Sequence, residues 1–392
     1  IIRCNSRKEV LYALRGNTKK NVRLFMQEND EYYMGRALRL AKRGEGRTSP
    51  NPMVGAVIVR DGRIIGEGYH ACCGENHAEV NAILAAQEPI AGATFYITLE
   101  PCTHQGRTPP CVHALIRERP ARVVIGSLDP NPRVSGRGVT ALREQGIDTV
   151  VGVREEECRR LNEKFFKYMT TGLPFITLKY AQTLDGRIAT TTGHSRWVSS
   201  LPARRYAHRL RSVHDAVLVG VGTVQQDDPE LTVRLVRGKD PLRIVLDSRL
   251  RISPEAKILQ GQDRVPTIVA TSPQAPRNRL KSLKSIGIEA LLVKETTEGG
   301  LSLPDLFRTL GKRGISSVLV EGGAAVITSV LRNRLADRLA VVVAPKIVGC
   351  GVEAVNDLGI NSMDQALKFH LYRWRRLGPD LLFIGDGNSG GN

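Results

Sequence analysis

The sequence has 392 residues, 41% of them hydrophobic and 24% charged, with a formal net charge of +18. That length admits two or more domains with separate cores, and no apolar run approaches the ~20 residues a membrane span needs, so a soluble enzyme or binding protein is expected. The basic balance admits nucleic acid, an acidic membrane surface or an anionic small substrate, but with 5% aromatics a stacking platform for single strands is poorly supplied.

Residues 1–25 carry seven Lys or Arg against one acid and run directly into Met26. Residues 1–26 are read as a basic extension around a natural start at Met26, with a transit peptide as the alternative. From Glu31, EYYMGRALRLAKRGEG sets Met34, Ala37, Leu38 and Ala41 at helical spacing and stops at Gly44. VGAVIV and RIIGEGY around RDG are expected to pair as a hairpin. HAEVNAILAAQ, CVHALIRE and VTALREQG read as helices, and ATFYITLE, ARVVIGSLD and DTVVGV as strands. The alternation predicts a three-layer α/β domain over residues 27–172. A second series starts at LPFITLKYA and continues through AVLVGVGTV, LRIVLDS, PTIVATS, ALLVK, SSVLVEGG and RLAVVVAP, with PARRYAHRLRS and LPDLFRTLGKRG as helices. It predicts a second α/β domain over 173–388, followed by a disordered tail in DGNSGGN.

Seven cysteines occur, Cys4, Cys72, Cys73, Cys102, Cys111, Cys158 and Cys350. An odd count in a long chain argues against a disulfide framework and for reduced thiols, some with a metal role. The spacing that stands out is His77-Ala78-Glu79 in GENHAEVNAI, then Cys102 and Cys111 in TFYITLEPCTHQGRTPPC. A catalytic zinc wants three protein ligands and one open position, and it lowers the pKa of a water there to about 7. His77 at one helix start and two thiolates near another supply three ligands, leaving Glu79 to move protons. H-x-E followed by P-C is the pattern of zinc deaminases acting on bases. The departure is the eight-residue gap between Cys102 and Cys111, where two residues are usual. Taken singly, His77 or either cysteine is more often a helix cap or a buried thiol; the four together outweigh that reading. Cys72 and Cys73 precede His77 and could compete for the metal, although paired surface thiols is the plainer account. His104 in the Cys loop ranks below His77 as a ligand.

In the second domain EGGAAVITSVL brings two glycines to a helix start, where free N–H groups receive phosphate. GVGTV holds only part of a dinucleotide fingerprint, which disfavours a standard Rossmann domain.

These motifs resemble those of the bifunctional riboflavin-biosynthesis deaminase/reductases. NPMVGAVIV, HAEVNAI, EPCTHQGRTPPC and DPNPRVSGRG are similar to the deaminase half, and LKYAQTLDGRIA, GVGTVQQDDPELTVR, VLDSR and VEGGAAVITSVL to the reductase half. The resemblance covers residues 27–385. It implies a cytidine-deaminase-like domain followed by a dihydrofolate-reductase-like domain, with Zn²⁺ and NADPH as cofactors. It assigns the metal to His77, Cys102 and Cys111, and proton transfer to Glu79. It gives the deaminase substrate to Asn51, His70, Arg107, Asp129 and Asn131. In the reductase it assigns the cofactor to Ala181, Trp197, Thr223, Asp227, Ser248 and the run Gly323, Ala324, Ala325, Val326, Ile327, Thr328 and Ser329. It assigns the substrate to Ser195, Arg211, Leu231, Arg234 and Glu321, with Lys179, Asp227 and Glu321 as groups for protonation and orientation. Phosphorylated pyrimidines, a cytoplasmic location and a homo-oligomer (dimer or tetramer) follow from the same resemblance, with neither nucleic acid nor membrane as partner. Two rivals stand against it. A deaminase of another base leaves the long second domain without a use, and a structural zinc protein on nucleic acid needs a fourth ligand and leaves Glu79 idle.

Overall fold

The structure is a computed structural model that describes residues 18–103, 109–132, 134–369 and 371–387, with side chains from Asn29 on. His104, Arg107, residues 1–17 and the tail from Asn388 lie outside the described residues. The chain forms two compact units that divide between Thr170 and Thr171.

In the first unit α1 spans Thr18–Ala41, β1 Gly55–Arg60, β2 Arg63–Tyr69, α2 Ala78–Leu84 and β3 Thr94–Ile97. Then come α3 Cys111–Glu118, β4 Arg122–Ile125, α4 Arg137–Glu144, β5 Asp148–Val151, α5 Glu155–Leu161 and α6 Glu163–Thr171. The sheet order is β2-β1-β3-β4-β5, antiparallel on either side of β1 and parallel from β3 to β5. Successive side chains of a strand point to opposite faces, and here both faces are dry. Ala56, Ile58, Phe95, Ile97, Val123 and Ile125 meet the α2 and α3 side. Val57, Val59, Tyr96 and Val124 meet Met34, Ala37 and Leu38 of α1. That is why these strands read as unbroken apolar runs. Within α1 the buried Asp30 is held by two 2.8 Å bonds from Arg122 and one of 2.9 Å from the Tyr96 hydroxyl. Helix α1 begins well before the expected Glu31, because TKKNVRLFMQEND consists largely of residues that tolerate a helix but lacks apolar periodicity.

The second unit holds β6 Phe175–Thr183, β7 Arg187–Thr190, α7 Leu201–Ser212, β8 Ala216–Gly220 and α8 Val221–Asp227. It continues with β9 Leu242–Leu246, β10 Thr267–Thr271, α9 Arg277–Ser285, β11 Glu289–Leu292, α10 Leu303–Lys312 and β12 Ser317–Val320. Helix α11 (Ala324–Arg332) precedes β13 Arg338–Ala344, β14 Gly351–Glu353, β15 Tyr372–Leu377 and β16 Asp380–Asp386. A nine-stranded sheet runs β11-β10-β9-β8-β12-β6-β13-β16-β15, and β7 pairs with β14 apart from it. The strands from β11 to β13 are parallel, and β16 and β15 close the edge antiparallel. Again both faces are filled: Leu218, Ile244 and Val318 face one core, and Val217, Val245 and Leu319 the other. The expected strand AVLVGVGTV ends at Gly220, and the chain turns there into α8, which buries Val221 and Val224 at helical spacing. Strand β15, YRWRRL, gave no period-two signal because it is exposed along all but Leu377. The parallel arrangement leaves a crevice at the carboxyl ends of the strands, the usual place for a ligand in such sheets.

Candidate active sites

Helix α2 opens with His77 as its N-cap residue, and α3 opens with Cys111 itself. The two helix starts meet: His77 Nδ1 lies 3.2 Å from Cys111 Sγ and 3.7 Å from Cys102 Sγ. The Cys111 backbone N–H donates to Cys102 Sγ at 3.3 Å. The close seating of α2 depends on Gly68 of β2, where a Cβ would collide with Ala78 O and Ala82 N. One ligand atom from each of His77, Cys102 and Cys111 falls within 4.8 Å of the others, and among the described residues these three alone form such a group. Cys72 and Cys73 are outside it. One imidazole and two thiols form a donor set that suits zinc, and three protein ligands leave a position for reactant. The hydrogen bond from Cys111 pulls Cys102 down to about 4, with help from His77 and against burial. Cys111 is pushed up by the same hydrogen bond with Cys102 and by burial. Replacing Cys111 with Ser is expected to abolish stoichiometric zinc binding, measured by atomic absorption on the purified protein.

Glu79 lies in the first turn of α2 and is 3% exposed. Burial raises its carboxyl to about 7, with Cys102 adding to the rise and His77 opposing it, and its side chain bonds to Cys111. It therefore touches the metal group without belonging to it. Asn51 and His70 stand beside the group. Asn51 Nδ2 is 3.2 Å from His70 Nε2, and the His70 ring meets His77 edge-on at 5.2 Å. Asp129 Oδ1 accepts the Asn131 N–H at 2.8 Å, so both shape the loop after β4. A residue the sequence reading left unassigned organises that loop. The buried Glu100, two positions before Cys102, accepts N–H bonds from Asp129, Gly136, Gly138 and Val139. Its signal was its place in LEPC, where a carboxylate beside a metal ligand invites the question of what it holds. Asn162 is a second such residue, bonding both Met53 N and Met53 O next to Asn51.

In the second unit a cleft of about 820 Å³ opens at the carboxyl ends of the strands. Lys179, Ala181, Ser195, Trp197, Arg211, Thr223, Asp227, Leu231, Arg234, Glu321 and Gly323 to Val326 all line it. Ser248 sits just past β9 and is not in the lining. Ile327, Thr328 and Ser329 are also outside it, because only the first turn of α11 reaches the cleft; Ile327 is core, and Thr328 bonds Ala324 O and Asn356 N. At the centre Glu321 takes 2.6 and 3.1 Å bonds from Arg211 and one of 3.3 Å from Lys179. Burial alone would raise this carboxyl, but the two cations and their bonds reverse that and hold it at about 2. The Ser195 hydroxyl donates to Asp227 at 2.7 Å. Leu231 and Asp228 hold left-handed backbone at φ 51° and 42°, conformations that non-glycine residues keep only where surroundings impose them. Helix α11 has no side-chain N-cap, and at Gly322 a Cβ would meet the Val326 side chain. An uncapped helix start with bare backbone before it suits an anionic dinucleotide. His208, unassigned from sequence, lines the same cleft.

Comparison with known proteins agrees with both halves. A family model for the cytidine and deoxycytidylate deaminase zinc-binding region matches residues 27–127, and one for the RibD C-terminal domain matches residues 174–383. Riboflavin biosynthesis protein RibD of Aquifex aeolicus is 48% identical over 360 residues, covering 92% of this chain and 99% of the relative. The crystal structure of a Thermotoga maritima diaminohydroxyphosphoribosylaminopyrimidine deaminase/5-amino-6-(5-phosphoribosylamino)uracil reductase superposes at a TM-score of 0.82, with 39% identity over 92% of this chain and 99% of that one. Acinetobacter baumannii RibD superposes at 0.84, with 37% identity over 93% and 100%. The chain belongs to the RibD family, the bifunctional deaminase/reductases of riboflavin biosynthesis.

Proposed function

We propose that the first unit hydrolytically deaminates 2,5-diamino-6-(5-phosphoribosylamino)pyrimidin-4-one and that the second reduces the ribosyl group of the product with NADPH. The observation that carries this is the pairing in one chain of two sites. A His–Cys–Cys group beside a buried carboxylate accompanies a cation-lined cleft ending on an uncapped helix start. In the first reaction water replaces a ring amine, which leaves as ammonia. When bound, zinc supplies a Lewis acid that makes hydroxide available near neutral pH. Glu79 takes the proton of the attacking water and returns it to the departing amine, from a position shielded from bulk water. Asn51 and His70 orient the pyrimidine, while Arg107, Asp129 and Asn131 meet its ribose phosphate.

In the second reaction the C1′–O4′ bond opens, O4′ gains a proton and C1′ gains a hydride, giving a ribityl chain. When bound, NADPH supplies that hydride. Thr223 and the turn from Gly323 to Val326 would hold its phosphates, with Ala181, Trp197 and Asp227 holding the rest of it. Lys179 holds the proton and Glu321 orients it, while Ser195, Arg211, Leu231 and Arg234 hold the substrate. NADPH oxidation should begin at once with the deaminated pyrimidine, but with the diaminopyrimidine only after ammonia appears. Immediate oxidation of NADPH without ammonia release would sink this order of steps. The reading extends to a cytoplasmic homo-oligomer, a dimer or tetramer, whose mass light scattering measures.

A further inference from the structure

His208 lies on α7 one turn before Arg211, lines the reductase cleft and is 7% exposed. No role in the chemistry above uses it. Its Nδ1 accepts the Arg234 backbone N–H at 2.9 Å and lies 3.5 Å from that of Leu235. An imidazole that accepts at Nδ1 carries its ring proton on Nε2. That nitrogen has no hydrogen-bond partner among the described residues, so its N–H is available to whatever enters the cleft. Burial first, then Arg211 and Arg234, pull the pKa of His208 down to about 4, with Lys179 adding and Glu321 opposing. It is therefore a neutral donor set among cations.

What such a donor would meet follows from its neighbours. Arg204, His208 and Arg211 recur at i, i+4 and i+7 on α7, one face of the helix, and all three line the cleft. Arg211 is offset by Glu321. Arg204 makes no ion pair among the described residues, and its Nε is buried without a hydrogen-bond partner beneath the Trp197 ring. The helix face thus presents an uncompensated guanidinium and a free N–H beside the backbone that carries Arg234. A phosphate oxygen satisfies both kinds of donor, whereas a sugar hydroxyl leaves the excess charge unanswered.

We propose that His208 is a specificity-determining residue of the reductase, donating its Nε2–H to the substrate phosphate while its Nδ1 fixes the backbone of Arg234. This rests on the reading that the ribosyl substrate reaches the cleft still phosphorylated. The phosphate is remote from C1′, so the contact acts equally on bound substrate and transition state, and its loss appears in KM rather than kcat.

The test is steady-state reduction of the phosphorylated deaminated pyrimidine and of its dephosphorylated analogue, in wild type, His208→Leu and His208→Gln. In His208→Leu the KM for the phosphorylated substrate should rise roughly tenfold or more, the scale of one hydrogen bond to a charged group. Its kcat and its KM for NADPH should hold, and the dephosphorylated analogue should show no further loss. Gln should restore the wild-type KM, since its Oε1 can accept from Arg234 and its amide can donate. Equal losses on the two substrates, no loss on either, or no restoration by Gln would overturn the assignment to His208. Wild-type protein that reduces neither substrate would overturn the parent reading, and this one with it.

Discussion

Glu79→Gln is expected to keep its zinc and lose deamination by about a hundred- to ten-thousandfold, the usual worth of a positioned proton carrier. The amide has the same shape and still reaches Cys111, so the metal group should be undisturbed, but it cannot accept and return a proton. Reduction of the deaminated pyrimidine should proceed at the wild-type rate, because the cleft of the second unit contains no part of this site. Zinc content, ammonia release and NADPH oxidation on one preparation check all three statements. Undiminished ammonia release would remove Glu79 from the chemistry.

Glu321→Gln is expected to abolish reduction and destabilise the second unit. Lys179 and Arg211 would then share a buried space without their counter-ion, and removing one partner from a buried charge cluster typically costs about 3–5 kcal/mol. Deamination by the first unit should survive below the lowered melting temperature. The same carboxylate gives a pH signature. Its folded pKa, about 2, lies below the ordinary value of 4.5. The stability it contributes, about 3 kcal/mol by linkage, is therefore fully present above pH 4.5 and is lost as pH falls toward 2. His208, kept neutral with a folded pKa of about 4 against 6.5, adds a separate loss as pH falls from 6.5 to 4. Denaturant titration across pH should show both windows in the wild type and only the upper one in Glu321→Gln. A variant as stable and active as the wild type would contradict the account of this cluster.

The readable parts of the molecule were those whose signal is local. The alternation of apolar runs with amphipathic stretches revealed both α/β units, because strands buried on two faces need no partner to be recognised. H-x-E and the two cysteines marked the metal group because His77 and Cys111 sit at helix starts that the sequence itself announces, with Cys102 in the loop before the second. What escaped is non-local. Glu100 acts through backbone N–H groups some 30 to 40 positions later, and His208 through Arg234 26 positions away. Neither has a spacing that pattern reading can weigh. Helix α11 shows the opposite case: of a contiguous run read into the cofactor site, the first turn lines the cleft while helical geometry turns Ile327 into the core. The first half of α1, ahead of Glu31, and the Arg-rich β15 escaped because their charged residues mask the period on which such readings depend.

The measurement that tests the central claim most directly is mass spectrometry of the diaminopyrimidine ribosylamine phosphate after incubation with zinc-loaded protein, with and without NADPH. The account predicts exchange of one amino group for oxygen without NADPH, and that same exchange plus two added hydrogens with it. An unchanged substrate in both incubations would contradict the substrate assignment, and deamination without added hydrogens would contradict the role given to the second unit.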